Sequence, residues 1–283
     1  MNFALNQPLA EVFIPDNSKL NQAIERTTHL AIGAHQDDLE IMAAKPILEC
    51  FQNHNQWFTG VILTDGRGAP RDHFYANYTD EQIRNVRLLE QKKAAVIGEY
   101  SSVIMLDYPS HAIKNKNNQV IDDLLVILKS ASPKYIYTHN LADKHDTHVA
   151  TALRVIEAIR LLPKDKRPER LFGCEVWRNL DWLDDKEKIL MDLTDHDNLQ
   201  MALLGVFDSQ ISGGKRYDLA AMARRVTNAT FIESHRLDKS QRLTFAMNLT
   251  PIIENDNESI SEYILDYIDK FSKEVKNKID RFQ

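Results

Sequence analysis

HLAIGAHQDDLE, residues 29–40, is a short apolar run that ends abruptly in polar and acidic residues. Such a run reads as a buried strand over 29–35, and the apolar residues of 39–51 then recur at helical spacing. The same unit repeats down the chain. WFTGVILT at 57–64 is closed by the turn pair Asp65-Gly66, and SVIML at 102–106, KYIYTH at 134–139 and LFGCEVW at 171–177 follow. Helical segments lie between them. Thr79 and Gln82 form a capping box opening a helix that runs to Ile97 and stops at Gly98. Residues 120–128 are helical and broken by Pro133, and residues 148–161 end before Pro163. Strands alternating with helices imply a mostly parallel sheet with helices on both faces, a Rossmann-like three-layer αβα fold.

Residues 1–28 read as an extension carrying a short helix. Beyond residue 178 a strand at 188–193 and helices at 195–207 and 217–228 follow. Ile260, Ile264, Tyr267, Ile268, Phe271 and Val275 trace one stripe of a C-terminal helix, which is expected to pack on the core. No internal repeat or flexible linker interrupts the chain. It therefore reads as one domain, residues 1–283, with 29–180 as the catalytic core and 181–283 as a C-terminal α+β extension shaping the substrate site.

Composition excludes several classes of function. Hydrophobic residues are 43% and charged residues 27% of the 283, as in ordinary globular proteins. With 35 Lys+Arg against 41 Asp+Glu the net charge is −6, no field for gathering nucleic acid or an anionic membrane. Cys50 and Cys174 are too few for a disulfide framework or a Cys-rich zinc module. No apolar run reaches the length of a membrane span, and the first residues carry no signal-peptide pattern, so a cytoplasmic location is expected.

Two polar clusters carry the chemistry. His35-Gln-Asp-Asp38 follows the first core strand, and Asp143-Lys-His-Asp-Thr-His148 follows the fourth. In the common strand order 3-2-1-4-5 those two strands are neighbours, and ligands bind outside their carboxyl ends. His35, Asp38 and His148 offer a His-Asp-His donor set with an open position, the pattern of a catalytic rather than a structural zinc. Asp37 is the carboxylate left to act as general base, and His145 is placed to stabilise an oxyanion or to protonate a leaving amine. The chemistry implied is metal-assisted hydrolysis of an amide or similar acyl bond. Other segments keep two readings. Gly66-Arg67-Gly68 is a turn or a substrate loop, the aromatic segment 71–78 is packing or a sugar-stacking face, and Ser212–Arg216 is a loop that does not fit a phosphate-binding motif. His139, ending the fourth strand, is the remaining histidine expected to approach the site.

At these residues the sequence resembles the PIG-L/LmbE-type zinc-dependent N-acetylglucosamine deacetylase family. The family's Ala-His-Pro/Ala-Asp-Asp reads AHQDD here, and its Asp-x-His-Pro-Asp-His reads DKHDTH. Thr64-Asp65-Gly66, the pattern Arg87-x-x-Glu90…Ala94-Ala95…Gly98 and a weaker echo at Ser209-Gln210 also agree. The resemblance implies Zn²⁺, or another divalent metal, on His35, Asp38 and His148. It implies Asp37 as base, His145 as oxyanion partner or acid, and Arg87 as a substrate contact, with Arg84 one turn earlier as the alternative. The implied reaction removes the acetyl group from an N-acetylglucosamine-type amino sugar or its conjugate, in an enzyme that forms homo-oligomers. The alternatives are an amidase on a thiol–sugar conjugate or other small amide, and a non-catalytic sugar- or nucleotide-binding module. Three positions depart from the pattern. Gln36 stands for Pro/Ala, Met42-Ala43-Ala44 replaces a glycine pair, and Thr147 stands where an aspartate tunes the first histidine.

Overall fold

Strands buried on both faces are mostly apolar, and every residue of His29–Gly33, Phe58–Thr64 and Ser102–Tyr108 is buried. The structure, a computed structural model, describes residues 3–283. Its strands are β1 (Glu11–Phe13), β2 (His29–Gly33), β3 (Phe58–Thr64), β4 (Ser102–Tyr108), β5 (Tyr135–His139), β6 (Arg170–Cys174), β7 (Lys188–Asp192) and β8 (Leu243–Asn248). They form one sheet in the order β1-β4-β3-β2-β5-β6-β8-β7. The five central strands are parallel, in the expected 3-2-1-4-5 order. β1, β8 and β7 join antiparallel.

The two faces of the sheet feed two separate cores, as period-2 alternation requires. Leu30, Ile32, Val61, Leu63, Ile104 and Leu106 face one cluster, closed by the helices Asn118–Ala131 and Asp146–Arg160. Ala31, Ile62, Val103 and Met105 face the other, closed by Ala44–Cys50 and the helix Asp80–Ile97. The capping box on the latter is complete: Gln82 N–H donates to Thr79 Oγ1 and Thr79 N–H to Gln82 Oε1. Gly60 has no side chain where a Cβ would strike Leu39, so the first motif's helix lies close against β3.

Four expectations change. The helix expected over 39–51 is two, Asp38–Met42 and Ala44–Cys50. Pro46 lacks the N–H that would reach the Met42 carbonyl, and its ring would strike that carbonyl, so the chain re-enters the helix at Ala43. The N-terminal extension contributes β1 to the sheet edge as well as the short helix Leu20–Glu25. β8, unforeseen, slots between β6 and β7, so the C-terminal region completes the same sheet. The last helix, Ile260–Phe282, buries only Ile264 fully. Ile260, Tyr263 and Tyr267 lean on the core, but Ile268, Phe271 and Val275 stand about 40% exposed because the helix outruns the body. Among the described residues no helix is long and apolar enough to cross a membrane.

Candidate active site

β2 and β5 pair directly, with Ala31 opposite Tyr137, so the loops that leave them share one rim. His35, Asp38 and His148 meet there. His35 Nδ1 lies 3.2 Å from Asp38 Oδ2 and 3.2 Å from His148 Nε2, and His148 Nε2 lies 3.4 Å from Asp38 Oδ1. Four ligands set tetrahedrally about 2.0–2.1 Å from a zinc are about 3.3 Å apart, and each of these contacts is near that length, although His35 and His148 meet different oxygens of Asp38. Two overlapping triplets, His35/His145/His148 and Asp38/His139/His148, also bring their donors within 4.8 Å of one another. His139 is the weaker ligand, because its Nε2 accepts the Ala34 N–H at 2.9 Å. It stacks on His148 with ring centroids 3.9 Å apart and fixes that ring.

The backbone of the first motif is strained and braced. Asp37 has φ 91°, a left-handed conformation that costs a non-glycine residue on the order of 1–3 kcal/mol. Arg87 holds the preceding peptide, its Nη2 donating to Gln36 O at 2.6 Å and its Nε to Gln36 Oε1 at 3.1 Å. Gln36 Nε2 donates to Thr64 O at 3.2 Å, and Asp37 N–H reaches Gln91 Oε1 at 3.4 Å. Gln91 and Tyr100 both donate to the buried Glu40, at 2.8 and 2.7 Å, and Arg225 donates to the Glu40 carbonyl.

The electrostatics separate the two adjacent carboxyls. Burial raises Asp37 well above the usual carboxylate range; Arg87, 3.9 Å away, opposes the shift, and Asp38, Glu40 and Glu90 add to it. Burial also acts on Asp38, but the imidazoles of His148, His139 and His35 outweigh it and hold that carboxyl well below the range. Burial pushes Glu40 up to about 7. His145 falls to about 4, through burial and then the neighbouring His35 and His148 rings. Its Nδ1 accepts the Thr147 N–H at 3.3 Å, which leaves Nε2 as the protonated nitrogen of the neutral ring.

Asp143, left without a role by the sequence, braces the second motif. One oxygen accepts the His145 N–H at 2.9 Å, and the other accepts the Trp177 N–H at 3.0 Å and lies 3.6 Å from His148 Nδ1. Carboxylates that face the far nitrogen of a ligating histidine orient the ring and raise its basicity.

A cavity of about 590 Å³ opens over these residues. His35, Asp37, Asp38, Arg87 and His145 line its floor. Gly66 and Gly68 line a wall, so this loop is part of the pocket as well as a turn. The far wall carries Trp177, Gln210, Lys215 and Tyr217. Trp177 and Tyr217 meet edge to face at 6.2 Å and form the aromatic surface that the segment 71–78 was a candidate to supply. In that segment Tyr75 instead donates to Asp208, and His73 and Phe74 line a separate shallow groove. The Ser209-Gln210 echo has a physical partner, since the Glu90 carboxylate accepts from Ser209 N at 2.7 Å and from Ser209 Oγ at 2.6 Å. Arg84 points away, bonded to Asp107 at 2.6 Å, whereas Arg87 lines the pocket.

Residues 30–159 match the family model described as PIG-L, GlcNAc-PI de-N-acetylase. Over 154 residues the chain is 27% identical to a protein of Escherichia coli (strain K12) described as an uncharacterized deacetylase, YaiS, covering 53% of this chain and 77% of that one. Among solved structures, the N,N'-diacetylchitobiose deacetylase of Pyrococcus horikoshii is similar with a TM-score of 0.63 at 16% identity, over 85% of this chain and 90% of that one. The 4-carboxy-2-hydroxymuconate hydratase of Pseudomonas putida KT2440 is similar with a TM-score of 0.60 at 17% identity, over 79% and 96%. At such identities the likeness is one of fold, and the fold serves a hydratase as well as a deacetylase. The family match favours the deacetylase: residues 30–159 match the model of a de-N-acetylase family, and the Escherichia coli relative is described as a deacetylase.

Proposed function

We propose, from the premise that residues 30–159 are a PIG-L-type de-N-acetylase core, that this protein is a zinc-dependent hydrolase that removes the acetyl group from an N-acetylglucosamine-type amino sugar or its conjugate. The observation that carries the reading is the convergence of His35, Asp38 and His148, with donor contacts of 3.2–3.4 Å between them, beneath a cavity that His35, Asp37, Asp38 and His145 line. These three residues would hold the ion. A zinc bound there lowers the pKa of water toward about 7 and polarises a carbonyl.

The chain's own residues then divide the work. Asp37 takes the proton of the attacking water, and its raised pKa brings it nearer the working pH of a general base. As the C–N bond of the amide breaks, Asp37 returns that proton to the departing amine. His145 donates from Nε2 to the oxyanion of the tetrahedral intermediate, since Nδ1 is already an acceptor. This favours the oxyanion role over the acid role for His145, because a ring held near pKa 4 is neutral at pH 7. Thr147 in place of aspartate is consistent with that, for no carboxylate at this position acts to keep the ring protonated. Arg87 braces Gln36 and, lining the pocket, serves as the contact for sugar hydroxyls. Trp177 offers a face to the sugar ring.

The test is metal analysis coupled to turnover. Purified protein should carry about one zinc per chain. Asp37→Ala should keep the zinc and lose at least about 10³-fold in deacetylation of N-acetylglucosaminides. Full activity in that variant sinks the general-base assignment. Turnover of other small amides, with none of any amino sugar, replaces the substrate class.

A further inference from the structure

The peptide that joins Gln36 to Asp37 is gripped at both ends. Arg87 Nη2 donates to the Gln36 carbonyl at 2.6 Å, and Gln91 Oε1 accepts the Asp37 N–H at 3.4 Å. Arg87 and Gln91 lie one turn apart on the helix Asp80–Ile97, so one face of that helix holds both ends of the plane. The bond from Asp37 is long, and it is the only one its N–H makes among the described residues. Which end of the Gln91 amide faces Asp37 is decided one step further away. Gln91 Nε2 donates at 2.8 Å to Glu40 Oε1, which also takes the Tyr100 hydroxyl at 2.7 Å. A carboxylate oxygen only accepts, so it draws the amide NH2 to itself and leaves the amide oxygen for Asp37. Glu40, Gln91 and Tyr100 are each no more than 1% exposed, and none of them lines the cavity.

The orientation of this peptide decides the conformation of Asp37, whose φ is 91°. Turning the plane over changes ψ of Gln36 and φ of Asp37, and would return Asp37 to the ordinary negative-φ region. It would also set the Gln36 carbonyl against Gln91 Oε1 and the Asp37 N–H against the Arg87 guanidinium. Acceptor would face acceptor and donor would face donor, and buried polar groups left unpaired are costly. We propose that Gln91, oriented by Glu40, is a positioning residue, and that with Arg87 it locks the 36–37 peptide in the form that directs the Asp37 carboxyl into the cavity. The base role of Asp37 rests on the deacetylase reading, whereas the lock is a property of the fold. Gln91 is not among the residues that carry the family resemblance.

The experiment compares the zinc-loaded enzyme with Gln91→Met, Glu40→Met, the double Met variant and the exchange Glu40→Gln with Gln91→Glu. Each is assayed on methyl N-acetylglucosaminide, analysed for zinc and crystallised. Gln91→Met should keep its zinc and a KM within about twofold of the parent, since Gln91 touches neither the metal donors nor the cavity, while kcat falls about tenfold or more. Its crystal structure should show Asp37 at negative φ. Glu40→Met acts on the same peptide, so the double variant should be no slower than the slower single one. The exchange keeps an acceptor toward Asp37, because the new amide donates to the new carboxylate, and it should recover most of the lost kcat. Full kcat in Gln91→Met overturns the proposal, even with a lower Tm, and so does an unaltered 36–37 peptide in its structure. Losses that multiply in the double variant overturn it as well, as does an exchange no faster than Gln91→Met. No turnover of any amino sugar by the parent enzyme overturns the deacetylase reading, and the 36–37 peptide in the variant structures still decides the lock.

Discussion

Gly66 and Gly68 sit two residues apart on the same pocket loop, yet replacing each with alanine should have opposite consequences. Gly66 has φ 70°, where an L side chain costs about 1–2 kcal/mol. A Cβ there would stand 2.5 Å from Gln36 Oε1 and 3.0 Å from Arg87 Cδ and Nε. Gln36 Oε1 cannot retreat freely, since it accepts the Arg87 Nε–H at 3.1 Å while Gln36 Nε2 donates to Thr64 O. Relieving the clash breaks a buried charge-assisted hydrogen bond, worth about 1.5–3 kcal/mol. Gly66→Ala should therefore lose roughly 3–4 kcal/mol, a drop in Tm of roughly 5–10 °C for a chain of this size. It should also slow turnover by on the order of 10²-fold, because Gln36 and Arg87 hold the left-handed Asp37 in place. A Cβ at Gly68 meets nothing within 4 Å and φ is not positive there, so Gly68→Ala should stay within about 0.5 kcal/mol of the parent. Thermal unfolding followed by far-UV circular dichroism and a deacetylation assay on both variants decide it. Equal Tm losses in the two, or a Gly66→Ala enzyme of full activity and stability, would show that the Gln36–Arg87 brace is not what holds the base.

Asp38→Asn should lose its metal on dialysis against a mild chelator while Asp37→Ala keeps it, since only Asp38 shares donor contacts with His35 and His148; metal content by plasma spectrometry reads this directly. His29 is held at about 4 by burial and then by Lys134, so it stays neutral in the fold while the unfolded chain takes a proton below its ordinary 6.5. The cost of keeping it neutral is absent above pH 6.5 and grows as pH falls toward 4. About 2 kcal/mol should go between pH 7.5 and 5, and His29→Phe should flatten that part of the urea-midpoint profile. An unchanged slope in the variant counts against the assignment. Ile264→Ala should cost about 2–4 kcal/mol, because Ile264 packs on the core, whereas deleting residues 272–283 should leave Tm within about 2 °C. A large loss on deletion would mean that the outer turns of the last helix are held by contacts they lack here.

The central sheet and its strand order were legible in the chain because each βα unit is local. An apolar run, a polar stop and a helical period all lie within a few tens of residues, and β4-β3-β2-β5-β6 follows from them. The convergence of His35, Asp38 and His148 was legible for the same reason, since His35 and Asp38 share one turn and His148 follows the neighbouring strand. The rest depends on contacts between segments far apart in sequence, which no local pattern encodes. β8 pairs with β6 across some seventy residues, and Glu90 accepts from Ser209 across more than a hundred. The strain at Asp37 arises from the brace around it. Lys215, Tyr217 and Trp177 become a pocket wall only when the C-terminal segment folds back over the rim. An amphipathic stripe such as Ile260–Val275 looks the same in sequence whether it is covered or bare, because its period records helix geometry and not what lies opposite. The proposed catalytic residues therefore lie in two short motifs, and the rest of the pocket in a surface that the tertiary fold assembles from side chains with no motif of their own.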